Sequence, residues 1–144
     1  MISPNAFITV QDVKDYLKIE HDLEDALLEN LINRATDILE KERYFKGIKE
    51  REYTETHDGE GTPEIFLLNY PVTNVTSVKI NGTPINDYQV SKDNGVLKYA
   101  GIFPEGFGNI EVSYTAGYNP VPESFVAECI DIVADLYENR SGKR

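Results

Sequence analysis

The sequence predicts an α+β fold: an N-terminal helical hairpin, a central antiparallel β-meander or small partial barrel, and a C-terminal helix. Three observations carry this. Apolar residues recur at three- and four-residue steps at both ends of the chain. Between Arg51 and Thr115 the period shortens to two. The breaks in that middle region, Asp58-Gly59-Glu60-Gly61, Asn81-Gly82 and Asp93-Asn94-Gly95, are rich in residues that tolerate the positive φ of tight turns.

Thr9 followed by Asp12 has the spacing of a capping box and opens a short helix, Val10 to about Lys18, with Val13, Tyr16 and Leu17 on one face. Asp22 followed by Asp25 marks the start of a longer one. Its expected core stripe is Leu23, Leu27, Leu31, Ala35, Ile38 and Leu39, and it reaches about Tyr44, with Gly47 as its stop. Strands are expected at Arg51–His57, Glu64–Leu68, Thr73–Ile80, Ile85–Val90, Gly95–Tyr99 and Ile110–Thr115. In the last, Ile110, Val112 and Tyr114 face one way and Glu111, Ser113 and Thr115 the other. Gly117 is free to take a positive φ at its exit. Pro120 and Pro122 end the ladder, and Pro122 suits the first position of the last helix. That helix runs to about Arg140 on the stripe Phe125, Val126, Cys129, Ile130, Val133, Leu136 and Tyr137. The 144 residues read as a single domain in three segments: a helical pair over 1–46, a β module over 50–116 and a helix over 121–140.

The chain is 40% hydrophobic and carries 25 acidic against 14 basic residues, a net charge of −11 spread along its length. No segment is a basic patch, so the electrostatic attraction that dominates nucleic-acid affinity is missing. The longest apolar runs, such as Ile65-Phe-Leu-Leu68, are too short to span a bilayer. No basic segment followed by an apolar core opens the chain, so no secretion signal is expected. Cys129 is the only cysteine; it falls in the apolar pattern of the last helix and reads as a buried thiol.

No reaction centre is legible. His21 and His57 read as solvent-facing loop residues, and no HxxxH, HExxH or Cys-His cluster occurs, so no metal is expected. Asp58-Gly-Glu-Gly-Thr62 lacks the ligand spacing of a calcium loop and reads as a hairpin turn. GxGxxG, GxxxxGK[ST] and GxSxG are all missing from the sequence, so nucleotide binding and serine-hydrolase chemistry have no support in it and no cofactor is expected. The pairs Asp12/Asp15 and Asp22/Asp25 sit in expected first helical turns, where negative charge complements the helix dipole. The nine tyrosines, five of them in or beside the β region, fit core and rim packing or a protein interface.

Four groups of segments in order, Ile8-Thr-Val-Gln-Asp-Val-Lys-Asp-Tyr-Leu17 with Asp25-Ala-Leu-Leu-Glu-Asn-Leu-Ile32, Asn69-Tyr-Pro-Val72 with Val75-Thr-Ser-Val78 and Asn81-Gly82, Tyr114-Thr-Ala-Gly-Tyr118 with Val121-Pro122, and Leu136-Tyr-Glu-Asn-Arg140, give a pattern that covers most of the chain. It resembles the head-tail connector (adaptor, head-completion) proteins of long-tailed bacteriophages and their prophages. The resemblance implies a structural protein of the virion neck and not an enzyme, assembled in the host cytoplasm. It further implies a cyclic ring of about twelve copies. The portal would lie on one side of the ring and the next neck or tail-completion protein on the other, with DNA meeting it only in passage and no membrane involved. With the apolar stripe of the last helix needed for its own core, the expected docking surface is Glu128, Asp131, Asp135, Glu138 and Arg140 with Lys143 and Arg144. The loops Asp58–Thr62 and Ala100–Gly108 are the alternative. A small monomeric protein-binding module is the competing reading.

Overall fold

The computed structural model describes residues 1–139. The chain forms two compact units. One combines Met1–Lys49 with the chain from Pro120 onward; the other is Glu50–Asn119. The α+β class, with helices at both ends and antiparallel strands between them, is as the sequence predicts.

The helical unit holds α1 (Val10–Leu17), α2 (Asp25–Asp37, continued by a π-helical segment Ile38–Arg43) and α3 (Glu123–Glu138). The capping box is present: the Thr9 hydroxyl accepts from Asp12 N, and the Asp12 carboxylate accepts from Thr9 N at 2.8 Å. The buried stripe of α2 is Leu28, Leu31, Ile32, Ala35 and Thr36, followed by Leu39, which is rotated from the expected one. Leu23 lies in the turn before α2 and is 88% exposed, and Leu27 is only half-buried. The residue that turns the chain after the π-helical segment is Phe45, at φ 55°. In α3 the buried residues are Cys129, Ile132, Val133 and Ala134, whereas Phe125, Ile130 and Tyr137 are half-buried. Pro122 stands at the N-cap, one position ahead of the expected one.

Asp22 and Asp25 do not cap α2, whose N-cap is Glu24. They converge instead on Lys14 of α1, whose Nζ lies 2.5 Å from Asp22 and 2.7 Å from Asp25. The hydrogen bonds that the buried Lys14 ammonium donates to these two carboxylates hold it above its ordinary pKa, and accepting from Lys14 holds Asp22 below its own. A charge buried on a helix face is tolerated here because two opposite charges meet it.

The β unit contains β1 (Arg51–His57), β2 (Thr62–Phe66), β3 (Val72–Ile80), β4 (Thr83–Pro84), β5 (Tyr88–Ser91), β6 (Val96–Phe103) and β7 (Ile110–Ala116). They form two antiparallel sheets of order β1-β7-β3-β4 and β2-β6-β5. The chain changes sheet between β4 and β5, so the first three residues of the strand expected over Ile85–Val90 form the connection and the pairing strand is Tyr88–Ser91. It also changes sheet between β1 and β2, so Asp58–Gly61 is an intersheet connection and not a hairpin turn. The β3–β4 hairpin closes on Asn81 (φ 50°) and Gly82 (φ 82°), both left-handed as a tight primed turn requires. Strand β7 alternates as expected, with Ile110, Val112, Tyr114 and Ala116 buried. Together with Ile65, Leu67, Val72, Val78, Leu97 and Phe103, they make a core to which both sheets contribute.

Candidate interaction surfaces

The outer face of α3 is partly occupied by the protein itself. Glu128 accepts from Arg43 Nη1 at 2.5 Å and from the Tyr44 hydroxyl at 2.7 Å, and the Tyr44 ring packs edge-on against Phe125 with centroids 5.0 Å apart. The Tyr44 hydrogen bond first, and Arg43 second, hold the Glu128 carboxyl below its ordinary range. This residue therefore fastens α3 to the end of the π-helical segment. Asp131, Asp135 and Glu138 are exposed. Asp131 receives a long bond from the Tyr16 hydroxyl at 3.4 Å, and Asp135 one from Asn139 within its own helix at 3.0 Å. Arg140, Lys143 and Arg144 lie outside the described residues. Cys129 is buried, and loss of water pushes its thiol up to about 11, out of the range of a reactive thiolate.

The β unit contains a buried polar cluster that sequence reasoning missed. Glu55 on β1 is 9% exposed and is met from four sides. The Tyr114 hydroxyl donates to it, His57 Nε2 lies at 2.8 Å, and Leu68 N and Asn69 Nδ2 approach at 3.3 and 3.5 Å. Burial pushes the carboxyl up, but the bonds from His57, Tyr114 and Leu68 outweigh it and leave the pKa lowered. Burial, then the bond to the carboxylate, raises Tyr114. His57 is thus a half-buried strand residue paired with Glu55, not a solvent-facing loop residue, while His21 is exposed. Among the described residues no group of three His, Cys, Asp or Glu side chains is placed to share a metal ion, and no helix is long and apolar enough to cross a membrane. The cluster ties the segment Leu68–Asn69 to the β1–β7 pair.

The loop between β6 and β7, within the alternative docking region named from sequence, is braced against the β1–β2 connection by hydrogen bonds. Asn109 Oδ1 accepts from Gly59 N and its Nδ2 donates to Pro104 O, both at 2.8 Å. Gly108 N donates to Asp58 Oδ1 at 2.6 Å, and Gly106 N to Gly59 O at 3.2 Å. A Cβ on Gly59 would lie 1.9 Å from Pro104 O, so the two connections approach at backbone contact distance. Phe107 stands on this braced loop 95% exposed. The sequence signal was an aromatic between two glycines, but only the bracing shows that it is held outward.

The fold is thus of the α+β class, and its distinctive features are surfaces and structural clasps. A family profile described as head completion protein matches residues 6–143, nearly the whole chain, and the chain belongs to that family. It is a structural protein of phage head assembly, at the head-tail junction of the virion. No curated protein matches the sequence.

Proposed function

We propose that this chain is a non-enzymatic subunit of a head-tail connector ring, joining the portal to the next neck or tail-completion protein and leaving a passage for the genome. The observation that carries this reading is the family match over residues 6–143. In the ring, about twelve copies related by cyclic symmetry would each touch two neighbours through different surfaces. The acidic balance, net charge −11, supports a channel wall past which DNA slides without adhering. The exposed acids Asp131, Asp135 and Glu138 would serve docking at the portal or the next ring, with Arg140, Lys143 and Arg144 completing that surface.

Electron microscopy of the protein incubated with its portal tests this directly. Rings stacked on the portal are expected. A protein that stays monomeric in solution, with and without the portal, would favour a small monomeric binding module instead.

A further inference from the structure

We infer that Asn81-Gly82, at the tip of the β3–β4 hairpin, is a site of spontaneous self-modification, where the chain loses ammonia and Asn81 becomes an aspartyl or isoaspartyl linkage. The reaction is easiest where Asn or Asp precedes glycine, because without a Cβ the next backbone nitrogen approaches the side-chain carbonyl freely. Three such pairs occur in the chain: Asp58-Gly59, Asn81-Gly82 and Asn94-Gly95. Sequence alone does not rank them, but the folded structure does. Two of the pairs are clamped at both reacting groups. Gly59 N donates to Asn109 Oδ1 at 2.8 Å, and the Asp58 carboxylate accepts from Gly108 N at 2.6 Å. Gly95 N donates to Ser91 O at 2.8 Å, and Asn94 Oδ1 accepts from the Ser91 hydroxyl. An N–H held by an acceptor resists deprotonation and is aimed away from the side chain it would attack. At the third pair neither Gly82 N nor the Asn81 side chain has a hydrogen-bond partner among the described residues. Both residues are exposed, and a Cβ on Gly82 would meet nothing within 4 Å, so no neighbour shields the nitrogen.

The step needs only hydroxide and water. Hydroxide takes the Gly82 N–H proton as that nitrogen bonds to Asn81 Cγ. The Cγ–Nδ2 bond breaks, and Nδ2 leaves as ammonia with a proton from water. A water molecule then opens the cyclic imide, and nothing is oxidised or reduced. Cleavage at Cγ gives an α-linked aspartate. Cleavage at the main-chain carbonyl leaves the backbone running through Cβ and Cγ, which lengthens it by an atom. The closed turn holds the reaction back. Asn81 is left-handed at φ 50°, and the ψ of about +47° that accompanies it puts Gly82 N across Cα from the side chain. Ring closure therefore waits for the hairpin tip to open. Opening is easy, since β4 is an edge strand of two exposed residues, Thr83 and Pro84. Once lengthened, the backbone no longer fits a two-residue turn, and the 2.8 Å bond from Asn81 N to Asn109 O is lost with it. The β3–β7 ladder and its core side chains are untouched. The chain thus ages at one hairpin tip, gaining a carboxylate while keeping its fold.

The test incubates the full-length protein at mildly alkaline pH, beside the same chain unfolded in urea. Trypsin cleavage after Lys79 and Lys92 puts Asn81 and Asn94 in separate peptides. Fragment-ion mass spectrometry reads the gain of about 1 Da at each asparagine. Labelling by an isoaspartyl methyltransferase reads the rearranged linkage at all three pairs. In urea the two asparagines should react within about twofold of each other, since each precedes glycine and no structure separates them. In the folded protein Asn81 should react at least about tenfold faster than Asn94, with no isoaspartyl label at Asp58, because only its tip opens at low cost. The Asn81 rate should also rise in proportion to hydroxide. Equal rates at Asn81 and Asn94 in the folded protein, or a label at Asp58 matching that at Asn81, would overturn the assignment. So would a folded chain still intact at Asn81 after the urea sample has reacted fully.

Discussion

Tyr114 reaches diagonally across the β1–β7 ladder to Glu55. The direct partner of Glu55 is Val112 and that of Tyr114 is Tyr53, so the four side chains share one face. The hydroxyl of Tyr114 donates to the carboxylate, while its ring stacks on Tyr53 with centroids 5.5 Å apart. One tyrosine thereby fills the core and neutralises part of the cost of a buried charge.

Tyr114→Phe keeps the ring and removes only the donor. Because the acceptor is ionised and buried, we expect a loss of about 1–3 kcal/mol in unfolding free energy. Urea denaturation followed by circular dichroism measures it. An unchanged midpoint would mean that water replaces the hydroxyl and that the clasp contributes nothing.

The same carboxylate makes stability depend on pH. Its folded pKa lies below the ordinary 4.5, so the unfolded chain takes up a proton first as the pH falls. The contribution of Glu55 is therefore full above about 4.5 and is lost as pH falls toward the folded value. Glu55→Gln should be less stable than the parent at neutral pH, and the difference should shrink as the pH drops below 4.5. A gap that stays constant or widens between pH 7 and pH 3 would contradict this, whatever the other carboxylates do.

Gly59 and Gly82 separate two reasons for glycine. At Gly82 a Cβ would meet nothing within 4 Å, but φ is +82°, so Gly82→Ala should cost about 1–2 kcal/mol in backbone strain. Gly59→Ala instead drives a methyl into Pro104 O and must move backbone, so a loss of about 1–3 kcal/mol is expected. It should also release the β6–β7 loop, read as faster amide exchange at Gly106 and Gly108 in Gly59→Ala but not in Gly82→Ala.

What the sequence made legible was local. The Thr9–Asp12 box and the Asn81-Gly82 turn need only residues three or fewer apart, and β7 shows its alternation within seven residues. The face of α2 was not legible, because Leu27 and Leu28, and Leu31 and Ile32, stand side by side and two adjacent stripes fit the same spacing. Packing chose the stripe of Leu28 and Ile32. Leu23 continued the rejected stripe and fell in the turn. Glu55 and Tyr114 are 59 residues apart, and their meeting follows only from the pairing of the first strand with the last. Asp22 and Asp25 looked like a helix start because the lysine they hold belongs to another helix.

Affinity for duplex DNA should be negligible at about 150 mM salt, since few phosphates can be neutralised and few counterions released. Fluorescence anisotropy with a labelled duplex checks it. Sub-micromolar binding would contradict the expectation and would require a basic surface that a chain with 14 basic and 25 acidic residues keeps concentrated in space.

On α3, fastening and docking can be separated by near-isosteric substitutions that remove charge. Glu128→Gln weakens the attachment to Arg43 and Tyr44, and a loss of about 1 kcal/mol in stability is expected from a partly exposed pair and its hydrogen bond. Asp135→Asn with Glu138→Gln touches no contact between helices among the described residues, since both residues are exposed and the Asp135 carboxylate accepts from Asn139 at the end of its own helix. Stability should change by no more than about 0.5 kcal/mol. If this face meets the portal or the next ring, the double variant should be captured several-fold more slowly at low salt, with the difference fading as salt rises, because rim charges act on encounter more than on affinity. Biolayer interferometry against immobilised portal reads both rates. Equal on-rates at every salt concentration would remove the α3 face from docking and leave the loops of the β unit to carry it.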